Sequence, residues 1–154
     1  MLIELAPSSL VGLGLEVRVD GLTVVVADAA GKVRARSAVQ TLSHVRRPEL
    51  VLDELAEMAQ AVIRDVRGFG LRLCGATVAV AGELGWPERE VRATVQARLP
   101  LPVTVSSAGT LGALGELASP LGAHLADCAY VVGGGGISAR VIADGRCART
   151  GRTA

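Results

Sequence analysis

Few residues in this 154-residue chain are of the types that do chemistry, and their spacing decides what they could do. Ser106 and Ser107 stand side by side ahead of a stretch of small residues. A serine becomes a nucleophile only when a base takes its proton, and no His or Asp lies at motif spacing to do so. Their expected role is to cap a helix that starts at Ala108. Cys74, Cys128 and Cys147 form no CxxC pair and no metal-ligand spacing. Cys74 lies in an apolar run, where a small core residue is expected rather than a reactive thiol. An odd cysteine count without a disulfide framework suits a reducing compartment. His44 and His124 fall in polar loops with no second ligand at helical or hairpin spacing, so no metal site is expected. The run Gly133, Gly134, Gly135 and Gly136 has two readings. Its backbone amides could cradle a phosphate or another anion, or the run is a flexible turn.

The rest of the composition bounds the scaffold. Half of the residues are hydrophobic but only 2% are aromatic, namely Phe69, Trp86 and Tyr130, so the core must be built from Val, Leu, Ile and Ala. The length suits one ordinary domain and is short for a two-lobed enzyme. A formal net charge of +1 argues against direct nucleic-acid binding by this chain. Arg146, Arg149 and Arg152 form a local basic tail, read as a frayed, solvated end. The start, from Met1 to Leu10, carries Glu4 and Pro7 and has no basic n-region, so no signal peptide is expected. No stretch approaches the roughly 20 apolar residues of a membrane span. A cytoplasmic protein without membrane contact is the expectation.

Periodicity supplies the elements. Leu10 to Val19, Leu22 to Ala27 and Val33 to Val39 read as three antiparallel strands, punctuated by Asp20-Gly21 and by Asp28-Ala29-Ala30-Gly31. From Pro48, the residues Leu50, Leu52, Leu55, Met58, Ala59, Val62 and Ile63 recur at helical spacing as far as about Arg67. Leu73 to Val80 is a nearly unbroken apolar run, as a buried parallel strand should be. Pro87 to Leu99 reads as an amphipathic helix, Leu101 to Val105 as a short strand and Ala108 to Leu117 as a small-residue helix. Ala129 to Val132 and Ile137 to Ala143 read as a hairpin around the glycine run, with Asp144-Gly145 as a final turn. The order β-β-β-α-β-α-β-α plus a hairpin predicts an α/β fold. Its five main strands form one mixed sheet, with the meander on one side and two parallel strands on the other.

Four stretches together resemble one family. They are GLTVVVADAAGKVRAR at 21–36, LGWPEREVRATVQARLPLPVTV at 84–105, VSSAGTLGALGEL at 105–117 and GGGGISARVIADGR at 133–146. The third fits a Val-Glu-Asn-Asp-Ala-Asn-x-Ala-Ala-x-Gly-Glu block and the fourth a glycine-rich hairpin. Their order and spacing resemble the first half of the ROK proteins, which are sugar kinases and sugar-responsive repressors. The resemblance implies a ribonuclease-H-like (actin-like ATPase) lobe at 1–127. Residues 128–154 would be a hairpin remnant of the second lobe with a basic tail. It also implies a reaction: an acidic residue on the first strand holds the metal of MgATP, and the Asp of Asn-Asp-Ala-Asn takes a proton from the sugar hydroxyl.

The departures from that pattern carry the functional expectation. The metal-binding Asp falls on Gly14, and the two glycines that follow it in the family fall near Glu16 and Val17. A carboxylate there repels phosphate and a β-branched residue blocks close backbone approach. The general base falls on Ala108, which cannot accept a proton, and the Asn before it on Ser107. The sugar loop of a dozen or more residues is missing, because Val80-Ala81-Gly82-Glu83 runs directly into Leu84-Gly85-Trp86. The His-x-Gly-Glu segment and the zinc-binding cysteine cluster of many ROK proteins would lie past Ala154. These losses leave neither a complete sugar pocket nor a complete nucleotide site, so no catalytic residue, cofactor or metal is expected. Only Gly133 to Gly136 remain as a phosphate-loop candidate. The expected role is a non-catalytic regulatory or interaction domain that acts by dimerising or by weak ligand sensing. Its homodimer or partner contact would run through Ala129 to Arg146, whose apolar strands need a covering surface. The alternative is the N-terminal lobe of an ATP-dependent sugar kinase that works with a separate second half.

Overall fold

The computed structural model describes residues 9–119, 122–124, 126–133 and 137–148. The strands are β1 (Leu10–Val17), β2 (Gly21–Asp28), β3 (Val33–Gln40), β4 (Arg72–Val80), β5 (Val103–Ser107), β6 (Cys128–Gly133), β7 (Ile137–Ala143) and β8 (Arg146–Cys147). The α-helices are α1 (Pro48–Gly68), α2 (Glu88–Gln96) and α3 (Ala108–Ala118). The large sheet has the order β3-β2-β1-β4-β5, antiparallel from β3 to β1 and parallel from β1 to β5. β6, β7 and β8 form a second, antiparallel sheet.

Alternation along the strands explains the burial. Val11, Leu13, Leu15 and Val17 of β1 and Leu22, Val24 and Val26 of β2 are buried, whereas Gly12 and Gly14 between them are exposed. Those strand residues form one cluster with Val51, Leu52, Leu55, Ala59, Val62, Ile63 and Val66 of α1 and with Val91 and Val95 of α2. Pro48 at the first position of α1 costs no hydrogen bond there and presets the helical φ. β4 carries one extra residue opposite β1: Val11 pairs with Leu73, but Leu13 pairs with Ala76. The bulge keeps both Leu73 and Ala76 on the core side.

That bulge corrects one expectation. Cys74 is exposed, not a core residue, because the extra residue turns it away from the helices. Other differences concern boundaries. β1 stops at Val17 rather than Val19, since the Arg18 N–H donates to the Gly21 carbonyl and closes the turn. β5 begins at Val103 rather than Leu101, because Pro102 has no N–H to give to a ladder; its carbonyl accepts from Ala76 N at 2.8 Å instead. α2 ends at Gln96, although Leu99 beyond it is still buried. The strand β8 was not expected. It places Arg146 in a sheet, paired with Ala143, and not in a frayed tail; Arg149 and Arg152 lie outside the described residues. The β7–β8 turn is Asp144-Gly145, both with positive φ (51° and 69°), the conformation that Asp-Gly favours in tight hairpins.

Candidate functional site

The parallel strands β1, β4 and β5 end together, with Val17, Val80 and Ser107 in one row across the sheet. Open α/β sheets receive ligands outside such carboxyl ends. α3 starts at this edge. Ser107 is its N-cap, extended in backbone (φ −68°, ψ 145°), and its side-chain oxygen accepts from Thr110 N at 3.3 Å. The expected capping role is what the structure has, and it falls to Ser107 rather than Ser106. The same oxygen lies 2.9 Å from Thr110 Oγ1.

A third side chain joins this pair from the second sheet. Arg140 of β7 donates from Nη2 to Ser107 Oγ at 2.7 Å and from Nε to Thr110 Oγ1 at 2.8 Å. Its Nη1 donates to the Ala139 carbonyl at 2.9 Å. Alternation puts Tyr130, Arg140 and Ile142 on the side of β6–β7 that meets α3. Ile142 is 1% exposed, and Tyr130 lies across Gly112, where an added Cβ would stand 2.5 Å from the phenol oxygen. Only glycine lets the ring come so near. The cleft beside this cluster, about 570 Å³, is lined by Ser106, Ser107, Thr110, Arg140, Arg146 and Glu88, among others. Among the described residues neither Arg140 nor Arg146 forms an ion pair with a carboxylate.

The positions singled out in the sequence fall as follows. Ala108 opens α3 beside Ser107, at the edge of this cleft. Gly14 lies inside β1, which runs on to Val17, and pairs with Val25 and Thr77. It lines a separate shallow depression with Gly12, Ala27, Cys74, Gly75 and Thr77. Gly133 ends β6, whereas Gly134, Gly135 and Gly136 lie outside the described residues. His44 Nδ1 sits 3.4 Å from the Val19 carbonyl, far in sequence from His124 in its short turn. Among the described residues no group of three or more His, Cys, Asp or Glu is placed to hold a metal ion. None of their helices is long and apolar enough to cross a membrane. Arg140 went unnoticed in the sequence. Its signal was present: the one charged residue of Ile137 to Ala143, in phase with Ile142.

The other side of the second sheet is different in character. Ala129 and Val131 of β6 and Ile137, Ala139, Val141 and Ala143 of β7 face away from α3 and are all exposed. Val131 is 61% exposed, Ile137 85% and Val141 48%. Among the described residues no polar side chain of the β6–β7 hairpin interrupts this face.

No family model matches the sequence, and no curated protein matches it. Solved structures do. A ROK family transcriptional regulator, a homolog of the E. coli MLC protein, superposes with a TM-score of 0.77 at 16% identity, over 93% of this chain and 39% of that one. The ROK hexokinase from Thermus thermophilus gives 0.72 at 21% identity, over 92% and 49%. A ROK family glucokinase from Streptomyces griseus, in complex with glucose and AMPPNP, gives 0.70 at 18% identity, over 92% and 47%. The likeness to ROK proteins thus holds for the fold, a ribonuclease-H-like, actin-like ATPase lobe with a mixed sheet and a small antiparallel sheet. The chain spans less than half the length of each of these three.

Proposed function

We propose that this chain is a non-catalytic, ROK-like regulatory or interaction domain that works by self-association through the β6–β7 hairpin, in sugar-linked transcriptional control. The observation that carries the reading is the apolar, exposed outer face of that hairpin. Monomeric proteins seldom leave an unbroken sheet face of Val, Ile and Ala in water, and a second copy covers it by symmetry. On this reading residues 128–154 are the association element and 1–127 the lobe that presents it. On the resemblance, Ala108 at the start of α3 stands where the family pattern puts its base, which supports a role without phosphoryl transfer, although β1 carries a carboxylate, Glu16, next to its end.

The test is sedimentation of the whole chain at micromolar concentration. The expected result is a dimer, and Val131→Lys should return it to a monomer with unchanged circular dichroism. A wild-type monomer overturns the association reading. A second reading draws on the length of the structural neighbours: the same face is covered by a separate second half, and the pair is a sugar kinase. Phosphorylation of glucose or an N-acetylated hexosamine from ATP, by the chain alone or with a partner encoded next to it, would favour that reading.

A further inference from the structure

The cluster at the start of α3 has an unusual hydrogen-bond balance. Ser107 Oγ accepts two bonds, from Thr110 N and from Arg140 Nη2, so its own hydrogen is left to donate to Thr110 Oγ1. Thr110 Oγ1 then accepts from both Ser107 and Arg140 Nε, and its hydrogen is unspent. A guanidinium has five N–H groups, of which three are used here, leaving one on each Nη. Every remaining polar capacity of the triad is therefore a donor. The charge is positive as well, because Arg140 has no carboxylate partner among the described residues and Arg146 lines the same cleft. Glu88 is the one carboxylate among the lining residues, and it forms no ion pair with either arginine.

We infer that this cleft binds a small oxyanion, the carboxylate or phosphate group of an acidic metabolite, on Arg140 and Thr110. The free groups of the triad are all donors and can be satisfied only by an acceptor, and with Arg140 and Arg146 against the single carboxylate of Glu88 a charged acceptor is favoured. The α3 dipole, whose positive end lies at this edge, adds in the same direction. A neutral sugar fits less well, since its hydroxyls donate as well as accept, the triad offers no free acceptor, and the sugar brings no charge to match the two arginines. The guanidinium is held by its bonds to Ser107 and Thr110, so little side-chain entropy remains to be lost on binding. The inference stands apart from the association reading, because it concerns the inner side of β6–β7. Binding is its readout, and a monomer that binds the anion would overturn only the earlier proposal.

The test is a titration of the ¹⁵N-labelled whole chain with inorganic phosphate, with acetate and with glucose, at constant ionic strength. The expected result is saturable movement of the Arg140 Nε–H and the 106–110 amides with phosphate or acetate in the millimolar range, about 4 kcal/mol of binding, and none with glucose. Phosphate above acetate would assign a phosphoryl ligand and the reverse a carboxylate. Thr110→Val should weaken binding several-fold, and Arg140→Gln at least about ten-fold, the loss of a charged hydrogen bond. Should Arg140→Gln unfold the hairpin, Arg146→Gln, which breaks no internal bond, should still weaken phosphate two- to five-fold as a rough expectation for one partly exposed charge. Signals that stay still with both anions, or that move as far with glucose, would sink the inference. So would equal affinity in all three variants.

Discussion

Asp28 shows how one side chain fixes a turn. Its Oδ1 accepts from the backbone N–H of Ala30 and of Lys32, both at 3.0 Å, and its Oδ2 accepts from Arg34 Nε at 2.8 Å. Burial alone pushes the carboxyl pKa up. The Lys32 N–H, the Arg34 guanidinium and the Ala30 N–H more than offset this and hold it below the ordinary aspartate value. A depressed carboxyl pKa means stability that is present above the unfolded-state value, about 3.9, and is lost as pH falls through the folded one. Asp28→Asn should therefore lower the urea midpoint at pH 7, and the two midpoints should converge as pH falls through the folded-state value. A gap that persists undiminished at acid pH would assign the effect to hydrogen bonding alone. Asp28 was legible as part of a turn from its neighbours Ala29-Ala30-Gly31. Cys74 was not legible, because the alternation that marks a face is reset by a bulge that depends on the partner strand.

At the scale of elements, the cleft depends on how β5 is seated. Gln96, the last residue of α2, reaches back with both ends of its amide: Nε2 donates to the Leu101 carbonyl at 2.7 Å, and Oε1 accepts from Val103 N at 2.9 Å. It thus pairs the backbone groups on either side of Pro102 and fixes where β5 begins, five residues ahead of α3. Gln96→Leu keeps the volume and removes both bonds, leaving a partly buried N–H and carbonyl without partners. The expected cost is about 1–3 kcal/mol, read by urea unfolding, with broadened signals at Ser107 and Thr110. An unchanged midpoint would mean that water serves those groups equally well. Periodicity in the sequence located the five main strands and three helices, since apolar spacing reports which face is buried. It could not find the Ser107–Thr110–Arg140 triad. That cluster joins residues far apart in the chain, and only the packing of Ile142 and Tyr130 against α3 brings them together.

For the molecule as a whole, the two sheets differ in what holds them. The large sheet shares one continuous aliphatic cluster with α1 and α2. The small sheet is anchored mainly by Ile142, by Tyr130 on Gly112 and by the Arg140 bonds. Local opening should therefore be easier in β6–β8 than in β1 and β4. Amide hydrogen exchange at low protein concentration should show protection in β1 and β4 exceeding that in β7 by about 2 kcal/mol or more. Equal protection would mean that the molecule opens as one unit. If the hairpin associates, its protection alone should rise with protein concentration. The resemblance read in the sequence reached the fold and no further, because a likeness at 16–21% identity preserves the path of the backbone while side chains at a site change freely.

The parallel pairing of β1 with β4 has a consequence for biosynthesis. β1 finds β2 through a short turn, but its other edge waits until all of α1 and then β4 has been translated. During that interval the nascent chain carries an open, hydrophobic strand edge, the surface on which growing chains stick to one another and which holdase chaperones cover. Slower translation across residues 48–80 is then expected to lengthen that exposure and to lower the share of molecules that reach the native sheet.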